Sequence, residues 1–271
     1  MPFPEIDPVA FSIGPIAVRW YALAYIGGLV LGVLYGQRLL ASTRLWKDDR
    51  PPFAPEAAWD FAFWGMIGII GGGRLGYVLF YNLPYFAEDP ARIFALWDGG
   101  MSFHGGLIGL VLAMALFTRA KGGRVLSAID ILGAVSPIGL FLGRLSNFIN
   151  GELYGAPTAL PWGVIFPTDP TGLPRHPSQL YEAVLEGPVL LIAIAIAIYR
   201  FSALKRPGLA AGIFAVGYGL SRIAVEFVRL PDVQIGYLYG GWLTMGMVLS
   251  LPILVGGVFL IATASVRPQH A

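Results

Sequence analysis

The stretch LAAGIFAVGYGLSRIAVEFV, Leu209–Val228, decides the fold. These 20 residues, rising 1.5 Å each as a helix, cover about 30 Å, the thickness of the hydrocarbon core of a bilayer. Nearly all of them are Leu, Ile, Val, Phe, Ala or Gly, yet Tyr218, Arg222 and Glu226 recur at every fourth position and Arg229 follows. At 100° per residue the four fall within a stripe of about 80°. An intramembrane charge costs several kcal/mol unless it is paired or wetted. The stripe must therefore face other helices or a wet cavity, which requires several spans around it.

Composition agrees. Of 271 residues 56% are hydrophobic and 13% charged, with a mean hydropathy of +0.69, whereas a soluble domain carries about a quarter charged residues. Further spans are expected at about Tyr21–Leu40, Trp59–Leu79, Phe103–Phe117, Ile129–Phe148, Leu180–Tyr199 and Gly241–Ala264. The third, about 15 residues, is short for a crossing and is expected to be partly embedded. Residues 149–179 are polar and rich in Pro and Gly, too broken to span. The expected fold is all-α: a polytopic membrane helix bundle of seven transmembrane spans forming one integral membrane domain over residues 1–271. The 149–179 segment is a small head inserted between the fourth and fifth spans.

Lys and Arg placement orients the chain. Arg38, Arg44, Lys47, Arg50, Arg119, Lys121, Arg124, Arg200, Lys205, Arg206 and Arg267 fall at one set of loops, and only Arg19, Arg92, Arg175 and Arg229 at the other. This puts the N-terminus outside, the C-terminus in the cytoplasm and the head on the periplasmic face. The basic loops are thus topology determinants, and with a net charge of +2 no nucleic-acid partner is expected. The start, Met1 to Pro8, has neither a basic n-region nor an early apolar run, so no cleavable signal peptide is expected. The absence of cysteine excludes disulfides and a cysteine nucleophile. Three histidines, His104, His176 and His270, are too few for a histidine-rich metal cage.

Under this topology five spans deliver polar groups to one depth near the outer face: Tyr21, Arg74 with Tyr77 and Tyr81, His104, Arg144 with Asn147, and the Tyr218–Glu226 stripe. His104 lies between glycines at a helix start, where the dipole disfavours the imidazolium and leaves a neutral ring able to accept a proton. Arg144, Asn147, Asn150 and Glu152 bring a guanidinium, two amides and a carboxylate together at the membrane surface, a cradle suited to a phosphate. Each group also admits a structural reading. Arg222–Glu226 can lock helices together, Arg144 can snorkel to the headgroups, the asparagines can cap a helix, and His104 can be an interfacial hydrogen-bonding group. Gly71-Gly72-Gly73-Arg74-Leu75-Gly76 matches the spacing of a dinucleotide-binding motif, but inside an apolar span small residues serve close helix approach instead.

Several stretches resemble the bacterial prolipoprotein diacylglyceryl transferase family: Phe11-Ser12-Ile13-Gly14-Pro15, Arg19-Trp20-Tyr21, Gly72 to Tyr77, Asp98 to Gly106, Gly143 to Glu152, Arg175 to Glu182, and Tyr218 to Arg222. Gly143–Glu152 resembles the family signature, with Ser146 where the family usually has glycine, and Gly155–Pro174 is shorter than in some relatives. The resemblance implies a multi-pass protein of the bacterial inner membrane with its active site toward the periplasmic face. It implies phosphatidylglycerol as donor and the lipobox cysteine of a prolipoprotein as acceptor, giving a thioether and glycerol phosphate. It carries His104, Arg144, Asn147, Arg222, Tyr21, Tyr218 and Glu226 onto positions that bind or react, and Asn150, Glu152 and Arg74 complete the expected substrate-binding set.

That chemistry suits the residues. A thiol with a pKa of about 8.5 is only slightly ionised at neutral pH, so a base is needed; the residues leave it open between His104 and a tyrosine, Tyr21 or Tyr218. Arg144 is expected to hold the lipid and Arg222 to meet the charge of the departing phosphate. No metal or organic cofactor is required. A transporter would place its site nearer the midplane within repeats. A hydrolase would need a serine–histidine pair or an aspartate dyad, for which Ser102 with His104, or Asp98 with Asp130, are poor matches. Reporter fusions test the topology: fusions after Arg206 and Arg267 should read cytoplasmic and one near Gly172 periplasmic, whereas a cytoplasmic signal at Gly172 inverts it.

Overall fold

The computed structural model describes residues 1–4, 6–230 and 236–266, and only the backbone at 103, 104, 265 and 266. Arg267 and His270 lie outside the described residues. The chain opens with β1, Val9–Ile13, and β2, Ile16–Arg19, paired antiparallel. This short hairpin, which the sequence reading did not expect, precedes a chain that is otherwise mostly helical. The hairpin turns at Gly14, whose φ is +58°, and its arms are too short to register beside runs of span length.

The helices are α1 (Trp20–Ala41), α2 (Ala58–Phe80), α3 (Leu83–Glu88), α4 (Phe103–Ala120), α5 (Val125–Ile149), α6 (Ser178–Val184), α7 (Leu190–Phe201), α8 (Leu209–Glu226) and α9 (Met245–Val266). Among the described residues six segments have the length and composition to cross a membrane: Trp20–Ala41, Pro55–Phe80, Val125–Ile149, Ser178–Phe201, Leu209–Glu226 and Met245–Ala264. The stretch Gly105–Ala120 of α4 is also apolar. The fifth expected span is interrupted by a π-helical turn, Leu185–Val189, that joins α6 to α7. Pro188 has no N–H to donate to the turn before it, and Gly187 takes the non-helical values φ −94° and ψ −106°.

The chain divides into two compact units, Met1–Tyr35 with Asp130–Ala271, and Gly36–Ile129. In the second unit α2 and α4 meet backbone to backbone. A Cβ on Gly72 would lie 2.7 Å from the Gly109 Cα, and one on Gly109 would lie 2.8 Å from the Gly72 Cα. The glycine run of α2 is thus a helix-packing surface, as expected for small residues in a span.

In the first unit the buried Asp130 of α5 accepts hydrogen bonds from the Gly208 and Ala211 N–H groups, at 2.7 and 2.9 Å. The carboxylate thereby satisfies orphan donors at the start of α8. Gly151, at φ +66°, ends α5 and begins the head. There Phe166 stacks on Tyr154 with ring centroids 5.0 Å apart, and Arg175 donates to both carboxylate oxygens of Asp169, at 2.6 and 3.1 Å. The Arg175 hydrogen bond holds the Asp169 carboxyl down to about 2, so this pair stays ionic near neutral pH. Burial also lowers His176, which leaves it neutral at pH 7.

The glycine interface predicts a contrast within one helix. Gly72→Ala should destabilise the protein by about 1–3 kcal/mol through backbone overpacking, whereas Gly71, with nothing within 4 Å of its Cβ position, should tolerate alanine. Thermal unfolding in detergent measures both, and equal midpoints for the two variants would refute the close approach.

Candidate active site

Six charged side chains of the first unit form one alternating chain: Glu186, Arg144, Glu182, Arg222, Glu226, Arg229. Arg144 Nε donates to Glu186 Oε2 at 3.2 Å, and its Nη1 pairs with Glu182 Oε2 at 3.1 Å. Arg222 Nη1 donates to Glu182 Oε1, and its Nη2 donates to Glu226 Oε1 at 2.9 Å. Arg229 Nη1 donates to Glu226 Oε1 at 3.1 Å, and the Thr244 hydroxyl donates to Glu226 Oε2 at 2.6 Å. Glu182 and Glu186 are 0% exposed and Glu226 4%. Carboxylates so far from water persist only when cations and donors surround them.

Local sequence builds the chain. Glu182 and Glu186 stand four apart across the break between α6 and the π turn, and Arg222 and Glu226 stand four apart on α8. A Cβ on Gly187 would lie 2.7 Å from the Phe141 Cβ, so α5 comes close where the turn widens. That approach brings Arg144 within reach of both glutamates. Gly246, at the start of α9, leaves room for Glu226; a Cβ there would lie 2.6 Å from its carboxylate.

A second cluster lies at the C-terminal end of α5. Asn147 Nδ2 donates to Glu152 Oε1 at 2.8 Å, and Asn150 Nδ2 reaches the same oxygen at 3.4 Å. Both amides thus orient one carboxylate. Gln179 Nε2 and Ser178 Oγ donate to the Glu152 and Leu153 carbonyls at 2.6 and 2.9 Å. These bonds hold Leu153 at φ +61°, a backbone region costly for a side chain of this size. Ser146 lies inside α5, not in a turn, and its hydroxyl donates to the Leu142 carbonyl at 3.1 Å. Tyr21 accepts from the Tyr25 hydroxyl at 3.3 Å, and Tyr25 is within electrostatic reach of Glu152. Tyr218 stacks on Phe214 with centroids 5.8 Å apart and feels the charges of Glu186, Arg144 and Arg229.

In the second unit, Arg74 is 5% exposed and surrounded by carbonyls. Its Nε donates to Ile93 at 2.8 Å, and its Nη2 donates to Arg92 and Ala95 at 2.7 and 2.9 Å. Its Nη1 donates to Gly100 at 3.1 Å and also to Gly99. All five N–H groups of the guanidinium are occupied. His104 follows this loop in the first turn of α4, and its side chain lies outside the described residues. Ser102 caps α4, its hydroxyl accepting from the Gly105 N–H at 3.2 Å. Among the described residues no group of three or more His, Asp or Glu side chains is arranged to hold a metal ion.

Sequence reasoning singled out Arg144, Arg222 and Glu226, which the chain of charges contains, but it missed Glu182, Glu186 and Thr244. The signal for the first two was the same four-residue spacing that marked Arg222 and Glu226. It was masked because Glu182 falls at the edge of the broken head and Pro188 follows Glu186.

Residues 8–263 match the family model described as prolipoprotein diacylglyceryl transferase. The chain belongs to that family. It is 56% identical to a Rhizobium meliloti protein over 97% of this chain and 94% of the relative. An Agrobacterium fabrum protein is 55% identical over 100% and 96%, and a Brucella canis protein 56% over 95% and 91%. Each bears the name phosphatidylglycerol--prolipoprotein diacylglyceryl transferase.

Removing a central cation should expose the cost of this arrangement. Arg222→Ala deprives Glu182 and Glu226 of a shared partner and should destabilise the protein by about 3–5 kcal/mol. Asp48→Asn, which breaks an ion pair whose side chains are 48% and 45% exposed, should leave the unfolding midpoint nearly unchanged. Equal effects of the two substitutions would contradict the burial argument.

Proposed function

We propose that this chain is an inner-membrane transferase that moves the diacylglyceryl group of phosphatidylglycerol onto the lipobox cysteine of a prolipoprotein. It does so with seven spans, its N-terminus outside and its active site toward the periplasmic face. The observation that carries the reading is the pair of guanidiniums, half-buried Arg144 and buried Arg222, sharing the fully buried Glu182 inside a membrane-spanning member of this family. The basic-residue asymmetry supports the orientation.

In the proposed reaction the acceptor sulfur attacks the glycerol carbon that bears the phosphate. An S–C bond forms, the C–O bond breaks, and the electron pair leaves with glycerol phosphate. His104 takes the thiol proton, a contribution of about 10²–10⁴-fold for a positioned base. Arg144 binds the donor phosphate, and Arg222, braced between Glu182 and Glu226, meets the charge that grows on the leaving group. Asn147 and Asn150 orient Glu152 at the membrane surface, with Tyr21 and Tyr218 as further contacts to substrate. Arg74 receives a different assignment from the one expected. With all five donors occupied by carbonyls, it shapes the loop ahead of His104 and does not hold the donor.

Lysine substitutions test the arginine roles, because an ammonium does not replace a two-pronged guanidinium contact. Arg144→Lys should raise the KM for phosphatidylglycerol roughly ten- to hundredfold with a smaller change in kcat, and Arg222→Lys should lower kcat by a similar factor with little change in KM. Steady-state kinetics at saturating acceptor peptide, with unfolding midpoints as control, reads both. Variants that shift only stability would make the arginines structural and move the phosphate site elsewhere.

A further inference from the structure

We infer that Glu186 takes up a proton when the anionic lipid donor binds, so that the chain of charges makes room for a phosphate by neutralising one of its own carboxylates. The inference rests on the donor-binding role proposed for Arg144. Three guanidiniums and three carboxylates alternate in the chain, so a phosphodiester entering among them finds no surplus positive charge. For Arg144 to turn to a phosphate, one carboxylate must give up its hold.

The geometry singles out which. Glu182 also holds Arg222, and Glu226 holds Arg222, Arg229 and the Thr244 hydroxyl. Glu186 ends the chain. Among the described residues its one ion pair is to Arg144, and its Oε1 is buried without a hydrogen-bond partner; Glu182 Oε2 also lacks a hydrogen bond, but Glu182 keeps Arg222 when Arg144 turns away. The groups whose charges bear on it are Arg144 from α5, Glu182 beyond that arginine on α6, Tyr218 from α8, and Arg229. Phe141 packs against the adjoining Gly187. When Arg144 leaves, a fully buried carboxylate loses its paired cation, and neutralisation replaces an ion that such a site does not tolerate. One proton from water then makes Glu186 a carboxylic acid. The remaining chain carries one net positive charge, which matches a phosphodiester anion.

Equilibrium binding of phosphatidylglycerol to the full chain in phosphatidylcholine nanodiscs, measured from pH 5.5 to 8.5, tests this. Wild-type affinity should fall by up to tenfold per pH unit once the free site has lost its proton, the slope of one linked proton. Glu186→Gln, a permanent mimic of the neutral acid, should bind with the wild-type's low-pH affinity across the whole range. Glu186→Asp, still titratable, should keep a slope, and so should His104→Gln. A Glu186→Gln protein that keeps the wild-type slope, or binds weakly at every pH, overturns the inference; the second result makes Glu186 only an anchor for Arg144. Loss of the slope in His104→Gln would assign the proton to the histidine and overturn it as well. If the wild-type protein does not prefer phosphatidylglycerol to phosphatidylcholine, or Arg144→Lys binds it unchanged, the donor-site reading itself falls and takes the inference with it.

Discussion

A buried charge must have a partner, and the first unit of this protein is organised around that constraint. Arg144 and Arg222 lie in helices of span length, where an unpaired guanidinium costs several kcal/mol. Glu182, between them, satisfies both. Around this centre the other features take on definite roles. The π turn at Leu185–Val189 adds Glu186, the close approach at Gly187 admits α5, and Gly246 leaves space for Glu226. Replacing such a network by apolar residues of equal volume is often neutral or favourable for stability.

The second unit handles its one deeply buried arginine differently. Among the described residues Arg74 has no carboxylate partner; it is satisfied by five carbonyls of residues 92–100. Gly99 and Gly100, at φ +76° and +77°, give the backbone the conformation that presents two of them. A loop folded round a guanidinium has a defined path without secondary structure, and here that path leads into the helix start that carries His104. Arg144 and Arg74 thus show two settings of one side chain: one is held by carboxylates and the other by the carbonyls of a loop.

Much of this was legible in the sequence because the membrane simplifies reading. Span length and the 3.6-residue period are strong signals, and they located the helices to within a few residues. The β1–β2 hairpin escaped because its Val-Ala-Phe-Ser-Ile and Ile-Ala-Val-Arg arms are short and adjoin an apolar helix. Arg144, Asn147, Glu152, Arg222 and Glu226 stood out as polar groups in apolar surroundings. Glu182 and Glu186 did not, since a proline after them reads as a helix end when it in fact widens a turn. For Arg74 the sequence gives the position on α2 but not which carbonyls a distant loop turns toward it. Ser146, where the family usually has glycine, lies within α5, which continues through it to Ile149.

The central claim is group transfer from a lipid to a thiol. Phosphatidylglycerol radiolabelled in its diacylglyceryl part, incubated with the purified protein and a lipobox peptide, tests it most directly. The account predicts label on the cysteine peptide in a linkage resistant to mild alkali at sulfur, glycerol phosphate released in equal amount, and no label on a peptide with serine at that position. Label recovered as free fatty acid or diacylglycerol with the peptide unmodified would make the protein a hydrolase. Unchanged lipid with a modifiable peptide present would leave Arg144 and Arg222 without their proposed substrate and contradict the account.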